Sequence, residues 1–411
     1  MVGSRVVQQW LAKGLILHPL GDMNSVDLTR GISLLAGVSA EVATKRWTDG
    51  RIPQAMELAE VVGHGEHISL VILDGLGMNI LEKHLPQDSF LRRNFRRSLR
   101  SVFPATTTAG ITALTTGDFP SHHGLLGWTV KCNGRLINPL PYSEEGSMAS
   151  LGELGLDMGE VFAGVESSFG MSTRKAKVAF SRYAKTPYTS ISTKGMAKQQ
   201  CETTACTMDA LGSFWRETYK VNETSFCYVY IPEPDHTEHC VGFDHEDVGH
   251  VLRDLDAELS RLWESTSDIP GRKQMIITAD HGHRVVAPTE QLVLGEDPSD
   301  TLLQECLLHP PTVEPRSPCF HCRPGLQDEF AARFRASRFA ADFELLSTDE
   351  VEDLQLLGPG NLSPVARERV GDFQAFTAGP KILVSGQPRR MIGWHGGATP
   401  VEMEVPLIVV E

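Results

Sequence analysis

Short, nearly continuous apolar runs recur along the chain and are separated by stretches with helical spacing. The clearest runs are His67 to Leu73, Lys177 to Phe180, Thr224 to Ile231, Gln274 to Thr278 and Val405 to Val410. Runs of this length without polar alternation are typical of strands that are buried on both faces of a parallel sheet. The pattern therefore predicts an α/β fold with a mostly parallel central sheet.

Segments with helical periodicity between these runs predict the helices. Ser39 to Lys45 and Ile52 to Val62 are the clearest near the N-terminus, and Met196 to Tyr219 and Asp247 to Ser265 are the longest. Leu91 to Arg100 carries five arginines, mostly on one predicted helical face. A solvated face is the ordinary interpretation of such a run, and an anion-steering patch is the alternative.

The chain changes character between residues 285 and 391, where proline-rich turns precede alternating short strands and helices. This segment lies between two parts of the predicted sheet. We therefore predict three parts: an N-terminal helical segment over residues 1–66, a core over residues 67–284 and 392–411, and a small α+β capping insertion over residues 285–391.

Composition and charge narrow the classes of function. Of the 411 residues, 41% are hydrophobic, and the formal net charge of −14 argues against a nucleic-acid-binding surface. No run approaches the ~20 apolar residues of a membrane span, and residues 1–20 lack the pattern of a signal peptide. The eight cysteines show no disulfide-framework spacing. We expect a cytoplasmic protein that binds neither nucleic acid nor membranes, and the sequence gives no indication of its oligomeric state.

The segment from Ser101 to Gly117 carries three consecutive threonines at a predicted helix entry. Ser101 to Phe103 is predicted as a strand, Pro104 ends it, and a threonine in the next positions can cap the following helix. The unpaired N–H groups of that first turn, at the positive end of the helix dipole, favour an anion. The segment therefore predicts an anion site beside a row of hydroxyl groups.

Acidic and imidazole side chains follow the predicted strands. They are Asp74 after the first run, Asp235 and His239 after the run that ends at Ile231, Asp280 and His281 after the run that ends at Thr278, and His395 in a glycine-rich loop before the last run. Asp235 and His239 are four residues apart, so one helical turn places them on the same face. Because α/β sheets bind ligands at the carboxyl ends of their strands, we expect these side chains to converge. A mixture of Asp and His suits Zn²⁺ better than Ca²⁺ or Mg²⁺.

In this order the motifs resemble one known family. From Asp74 to Gly397 the chain contains Asp-Gly, Pro-x-x-Thr, Thr-Gly-x-x-Pro-x-x-His-Gly, Pro-Asp-x-x-x-His, Asp-His-Gly and His-Gly-Gly. This series is similar to that of the type I phosphodiesterase/nucleotide pyrophosphatase family, within the alkaline phosphatase superfamily. The resemblance extends from about His67 to the C-terminus. It implies an alkaline-phosphatase-like, three-layer α/β/α sandwich.

The resemblance also implies a two-zinc site, in which Mn²⁺ or another divalent ion could replace zinc. The implied ligand sets are Asp235, His239 and His395 for one ion, and Asp74, Asp280 and His281 for the other. The implied nucleophile is Thr107, and Thr106 and Thr108 are adjacent hydroxyls whose ordinary role is helix capping. Because a bound metal lowers the pKa of an oxygen that binds it, Thr107 could attack phosphorus and give a phosphothreonine intermediate.

One departure from the family pattern concerns phosphate binding. Many nucleotide pyrophosphatases of the family follow the nucleophile with Phe-Pro-Asn, whose amide contacts the phosphate. Here Thr108-Ala109-Gly110 stands in that place. Another donor is therefore expected, and the candidates are His283, His321 or a backbone N–H.

The substrate stays open at this level. The expected function is hydrolysis of phosphodiester or nucleotide pyrophosphate-type bonds in a small phosphate ester or nucleotide. The alternatives are a phosphomonoesterase or phosphonate (C–P) hydrolase on the same scaffold, or a catalytically silent scaffold protein. A monoesterase would need extra positive groups to bind the more highly charged phosphate. The cluster of positive residues visible in the sequence is the arginine run over Leu91 to Arg100. Trp128, Tyr142 and Phe320 could form a stacking wall for a base, although core packing is the more usual role of each.

Overall fold

Strands and helices alternate along the chain, as the apolar runs predict. The computed structural model describes residues 2–269 and 272–411, so Met1, Pro270 and Gly271 lie outside the described residues. The strands, in chain order, are β1 His67–Leu73, β2 Phe95–Arg100, β3 Val130–Cys132, β4 Arg135–Asn138, β5 Ser143–Glu144, β6 Ala176–Ser181, β7 Ala197–Gln200, β8 Ser225–Ile231, β9 Lys273–Thr278, β10 Arg284–Val285, β11 Gln291–Leu294, β12 Thr312–Glu314, β13 Ser317–Phe320, β14 Glu344–Ser347, β15 Phe373–Phe376, β16 Ile382–Ser385, β17 Gly393–Trp394 and β18 Glu404–Val410. The helices are α1 Val2–Ala12, α2 Ser25–Leu35, α3 Ala40–Arg46, α4 Ile52–Val62, α5 Met78–His84, α6 Phe90–Arg93, α7 Thr107–Thr116, α8 Pro120–His123, α9 Met158–Val161, α10 Pro187–Ser192, α11 Thr204–Lys220, α12 Asp235–Val241, α13 Glu246–Ser265, α14 Thr301–Glu305, α15 Gln327–Ala336, α16 Thr348–Asp353, α17 Pro364–Val370 and α18 Pro400–Met403.

The central sheet has seven strands in the order β2-β18-β9-β1-β8-β6-β7. Neighbouring strands from β9 to β7 are parallel, and β18 is antiparallel to both of its neighbours. β1 lies in the middle and is buried along its whole length, as a continuous apolar run requires. Helices flank the sheet, with α2 packed on α4 and α7, and α11 packed on α13. The predicted α/β/α sandwich with a mostly parallel sheet is confirmed.

The register of the central strands aligns their carboxyl ends. The last residue of β1, Leu73, lies beside the last residue of β8, Ile231, and β9 pairs along the other side of β1. The N–H of Asp74 donates to the carbonyl of Ile231 at 3.0 Å, and the N–H of Asp235 donates to the carbonyl of Asp74 at 3.0 Å. The segments that leave these strands are therefore held side by side.

The prediction of a helical arginine face over Leu91 to Arg100 is wrong. Only Phe90–Arg93 is helical there, and Phe95–Arg100 forms the edge strand β2 beside β18. Side-chain burial alternates along β2, as expected for a strand. Pairing with β18 outweighs the helical spacing of the arginines in this segment. The side chain of Arg96 forms an ion pair with Glu411 at this edge.

Two further predicted elements differ from the structure. Ser101 to Phe103 is not a strand, since the chain leaves the sheet after Arg100. Met196 to Tyr219 is not one helix, because its first part forms the edge strand β7 beside β6. Helix α11 begins only after Thr203, whose side chain accepts a hydrogen bond from the N–H of Cys206.

The segment between residues 285 and 391 has sheets of its own. Strands β12, β13, β15 and β14 form a four-stranded sheet, and β11 pairs with β16 in a separate two-stranded sheet. Phenylalanines such as Phe320, Phe330 and Phe334 pack together in an apolar cluster of this segment. It therefore has the mixed α+β character that its sequence predicts, while the boundaries of the three parts stay a prediction.

Two further features concern the state of the cysteines and the length and apolar character of the helices. All eight cysteines are free thiols, and six of them are buried. No helix within residues 2–269 and 272–411 combines the length and the apolar character that crossing a membrane requires.

Candidate metal centre and active site

Asp74, Asp280 and His281 form a first cluster of candidate metal ligands, which we call group A. Asp74 follows β1 directly, and Asp280 and His281 follow β9. One ligand atom from each residue lies within 4.8 Å of the other two. His281 Nε2 is 3.3 Å from Asp74 Oδ1 and 3.6 Å from Asp280 Oδ2. All three side chains are buried, so group A lies below the surface at the ends of the strands.

Asp235, His239, His283 and His395 form a second cluster, group B, whose ligand atoms also lie within 4.8 Å of one another. Asp235 and His239 share one face of α12, with 3.4 Å between Oδ1 and Nε2. His395 follows β17, and its Nε2 lies 3.8 Å from the same Oδ1. The rings of His395 and His281 stack with their centroids 3.9 Å apart. Groups A and B are therefore in direct contact.

Several buried ligand atoms have no hydrogen-bond partner among the described residues. They include Asp74 Oδ1, Asp280 Oδ2 and His395 Nδ1. A buried carboxylate oxygen without a partner is costly unless a cation satisfies it. Carboxylates and imidazoles in comparable number are a donor set that suits Zn²⁺ and similar transition-metal ions. The residues therefore fit a pair of divalent ions.

Burial and the charges of neighbouring side chains shift the pKa values of residues in both clusters. Burial and the charge of Asp74 raise the pKa of Asp280 well above its usual range. Burial alone would lower the pKa of His281, but the charges of Asp280 and Asp74 raise it well above its usual value. Burial would raise the pKa of Asp235, but His239 and the other imidazoles of group B lower it well below its usual range. The carboxylates of group A thus compete for positive charge, which a divalent cation would supply.

Backbone carbonyls fix the orientation of two imidazole rings. His239 Nδ1 donates to the carbonyl of Gly393 at 2.9 Å, and His281 Nδ1 donates to the carbonyl of Gly282 at 3.1 Å. When Nδ1 carries the proton, Nε2 is left with a lone pair that faces the carboxylates. This is the usual arrangement of histidines that bind metal ions.

Thr107 is the threonine that contacts the metal-ligand clusters. It is the first residue of α7, and its Oγ1 lies 3.1 Å from His281 Nε2. Thr106 is the N-cap residue, but its hydroxyl donates to Glu314 at 2.7 Å and does not cap the helix, so the predicted threonine cap is wrong. The hydroxyl of Thr108 is buried without a partner in the described chain. The structure therefore gives three adjacent threonines different surroundings.

Helix α7 comes close to group A because of Gly110. A Cβ atom at this position would lie 2.7 Å from both the Cβ and the carbonyl oxygen of Asp280. Ser101, just before the helix, donates its hydroxyl to the same carbonyl oxygen. A larger residue at position 110 would push α7, and with it Thr107, away from the cluster.

A cavity of about 1080 Å³ opens over the two clusters, with Asp74, Thr107, Asp235, His239 and His395 among its lining residues. Four tyrosines and several residues of the segment 285–391 line other parts of its wall. The segment 285–391 therefore contributes to the wall of the cavity over the clusters.

Of the three aromatic residues that could form a stacking wall, one lines the cavity and two have the core-packing role that the sequence favours. Trp128 lines the cavity and is 52% exposed, so its ring is available for a ligand. Tyr142 and Phe320 are buried in two separate apolar clusters, where they pack against the core. Tyr230, at the end of β8, lines the cavity instead and donates its hydroxyl to Asp74.

The two histidines considered as phosphate donors have different surroundings. His283 Nε2 donates to Asp235 Oδ1 at 2.6 Å, and burial lowers the pKa of His283 to about 4. His321 Nε2 donates to the carbonyl of Glu368 at 2.8 Å, in the segment 285–391. His283 is thus a member of group B that the sequence analysis did not place there. The sequence feature that could have placed His283 in group B is its position two residues after His281.

Glu314 is a cavity residue that the sequence analysis missed. It ends strand β12 and is 7% exposed, and its Oε1 accepts from the hydroxyl of Thr106 at 2.7 Å and from the N–H of Trp128 at 2.8 Å. Burial raises the pKa of Glu314 to about 7. The preceding Val313 has a φ of 72°, which a β-branched residue rarely adopts. No motif marks Glu314, since its place depends on how the insertion folds back onto α7.

The sequence matches the profile of the Type I phosphodiesterase / nucleotide pyrophosphatase family over residues 69–303. This match covers more than half of the chain, so the chain belongs to that family, and the resemblance drawn from the motifs is confirmed. A comparison with curated proteins gives no significant match.

Solved structures share the fold over most of the chain. Murine ectonucleotide pyrophosphatase / phosphodiesterase 5, as an inactive threonine-to-alanine variant in complex with AMP, has a TM-score of 0.62 and 16% identity over 83% of this chain and 87% of that chain. Another structure of the murine protein has a TM-score of 0.60 at 16% identity, and the human protein 0.60 at 15%, with the same coverage. At these identities the likeness establishes the alkaline-phosphatase-like fold.

Proposed function

We propose that the chain is a two-metal hydrolase of phosphodiester or nucleotide pyrophosphate-type bonds, with Thr107 as its nucleophile. The observation that carries this proposal is the joint position of group A, group B and the Thr107 hydroxyl in one cavity. Membership in a metal-dependent phosphodiesterase family supports the reaction class. The AMP complex of the murine neighbour supports a nucleotide-type substrate.

Group A would hold one divalent ion, and Asp235, His239 and His395 of group B the other, with Zn²⁺ as the expected metal. When bound, the ions would lower the pKa of a nearby hydroxyl and stabilise negative charge on a phosphoryl group. His283 serves a different role. Two ligands of a tetrahedral zinc ion lie roughly 3.3 Å apart, but His283 Nε2 lies 2.6 Å from Asp235 Oδ1, at hydrogen-bond distance. It therefore orients Asp235.

The chain's own groups account for the covalent steps. The Thr107 hydroxyl loses its proton to solvent as Oγ1 forms a bond to phosphorus. The bond to the leaving oxygen breaks, and its electron pair departs with that oxygen. Water then attacks the Thr107 ester in a second displacement, which releases the product and restores the hydroxyl. The first N–H groups of α7 have no side-chain cap, because Thr106 turns its hydroxyl to Glu314. They can donate to the phosphoryl oxygens in the place of the absent Asn amide.

The charge of the cavity favours a diester over a monoester. A monoester dianion brings one more negative charge than a diester, yet Arg389 is the only Lys or Arg among the described residues that line the cavity. None of the five arginines between Leu91 and Arg100 lines the cavity. Arg97 contacts Asp22, and Arg100 donates to the carbonyl of His18.

The proposal is tested by turnover of the metal-loaded protein on three substrates side by side: bis(p-nitrophenyl) phosphate, p-nitrophenyl thymidine monophosphate and p-nitrophenyl phosphate. We expect a higher kcat/KM for either diester than for the monoester. A preference for the monoester would favour the phosphatase alternative. Turnover of none of the three, with both metal clusters loaded, would favour the phosphonate hydrolase or the silent scaffold.

A further inference from the structure

The cavity is larger than a phosphoryl group needs. Its volume of about 1080 Å³ slightly exceeds the ~300–1,000 Å³ that is common for small-molecule sites. Apart from the metal-ligand clusters, its wall includes Leu136, Leu140 and Tyr183, and its carboxylates outside the clusters are Glu145 and Glu314. The cavity therefore has room for a second part of the substrate.

Among the described residues that line this cavity, Arg389 is the only lysine or arginine. Within residues 2–269 and 272–411, its guanidinium has neither an ion pair nor a hydrogen bond. Its backbone, in contrast, is fixed. Gln291 accepts from the N–H of Arg389 at 2.8 Å and donates to its carbonyl at 2.9 Å. The loop is held in place while the charge is left free for a ligand.

The loop of Arg389 is attached to group B. Three residues later, the N–H of Ile392 donates to the carbonyl of His239 at 2.9 Å, and the carbonyl of Gly393 accepts from His239 Nδ1 at 2.9 Å. Three residues of chain span at most about 11 Å. Arg389 therefore lies on the side of the cavity next to group B.

The expected direction of attack on phosphorus indicates which part of the substrate lies beside Arg389. Thr107 Oγ1 contacts His281 of group A, so the nucleophile approaches phosphorus from group A. In an in-line displacement the leaving oxygen lies opposite the nucleophile, toward group B. The leaving group therefore extends into the part of the cavity that Arg389 lines.

We propose that Arg389 binds a second anionic group, carried by the leaving group of the substrate. The substrate class is then a diester or pyrophosphate whose leaving group bears a phosphate or a carboxylate of its own. A guanidinium forms paired, charge-assisted hydrogen bonds with either group. This inference rests on the proposed function, and it adds the chemical class of the leaving group.

The test compares two substrates that share one half. ATP and the p-nitrophenyl ester of AMP carry the same adenosine 5′-phosphoryl group, but only in ATP does the leaving group, pyrophosphate, carry a phosphate of its own that Arg389 could bind. In Arg389→Gln at equal metal content, we expect kcat/KM for ATP to fall about 10- to 100-fold. The value for the p-nitrophenyl ester should change by less than about twofold.

Arg390→Gln is the matched control, because Arg390 is adjacent to Arg389 and likewise exposed, but is absent from the cavity wall. It should leave both substrates within about twofold of the wild-type protein. An equal loss on both substrates in Arg389→Gln, no loss on either, or the same selective loss in Arg390→Gln would overturn the inference.

A binding measurement separates this inference from the proposed function. Inorganic pyrophosphate is titrated calorimetrically into two metal-loaded proteins, the Thr107→Ala variant and the double variant that also carries Arg389→Gln. The double variant should bind pyrophosphate more weakly, and the metal content of both proteins is checked afterwards. If the wild-type protein hydrolyses neither substrate but this dependence persists, the proposed function fails and the anion site stands. Equal pyrophosphate affinity in both proteins would refute the anion site, whatever the turnover.

Discussion

The strand ends and the insertion build the same cavity by different means. The strand ends place Asp74 and Asp280 through the register of β1 and β9, and both residues are almost fully buried. The insertion contributes Glu314 through the unusual backbone of Val313, and Arg389 through a loop pinned by Gln291. Under the proposed function, sheet topology fixes the reacting groups, whereas loop geometry sets the selectivity for the substrate.

This comparison predicts effects of different size. Changes at the strand ends or on α7 should remove chemistry or metal, because these side chains are buried and lie within a few ångströms of one another. Changes in the insertion should leave the metal in place and alter only positioning or selectivity. The predictions below run from the largest expected effect to the smallest.

Thr107→Ala should lower kcat by about a thousandfold or more, because the hydroxyl that forms the bond to phosphorus is removed. Metal content and the thermal unfolding midpoint should stay at wild-type values. Thr108→Val is the matched control, since its buried hydroxyl has no partner in the described chain, and it should retain most of the activity. Wild-type turnover by Thr107→Ala would end the assignment of the nucleophile.

Asp280→Ala and His395→Ala should each weaken the binding of one metal ion by at least about 100-fold. Each removes one ligand, from group A and group B respectively. Metal content after dialysis against a dilute chelator, read by elemental analysis, checks this. Asp244→Ala, at an exposed site after α12, is the control. Full metal content in both ligand variants would contradict the ligand sets.

The pH dependence of stability should report on Glu314 in the metal-free protein. Its pKa of about 7 in the folded chain exceeds the ordinary value of 4.5, so folding favours the protonated form. The corresponding stability is fully present below pH 4.5 and is lost as pH rises through 7, by no more than about 3 kcal/mol. In Glu314→Gln this loss should disappear from the free energy of unfolding measured with urea. An identical pH profile for both proteins would contradict the raised pKa.

Glu314→Ala should lower kcat about tenfold at equal metal content, because Thr106 and the N–H of Trp128 lose their acceptor beside the nucleophile. Glu314→Gln keeps a carbonyl oxygen at the same place and should restore most of the activity. Steady-state kinetics on a diester would show this contrast. If the Gln variant is as slow as the Ala variant, the charge or proton of Glu314 matters rather than its role as an acceptor.

The central strands were predictable because their burial is complete. β1, β8 and β9 match the apolar runs to within one residue, and the candidate ligands Asp74, Asp235 and Asp280 lie one to four residues after these strands. The edge strands β2 and β7 were not predictable, since their backbone groups bond a partner on one side only and their sequences carry helical spacing or polar residues.

The insertion side of the site was also hidden from the sequence. Glu314 belongs to no motif, and its contact with Thr106 joins residues that are 208 positions apart. His283 was visible beside His281, but only the geometry assigns it to Asp235. The cytoplasmic placement and the three-part division of the chain stay predictions.

The central claim is a double displacement through Thr107, and the stereochemistry at phosphorus tests it most directly. One diastereomer of p-nitrophenyl thymidine phosphorothioate would be hydrolysed in ¹⁸O-labelled water, and the configuration of the product determined by ³¹P NMR. Two successive in-line displacements predict retention of configuration. Inversion would show that water attacks phosphorus directly, and would contradict the role of Thr107.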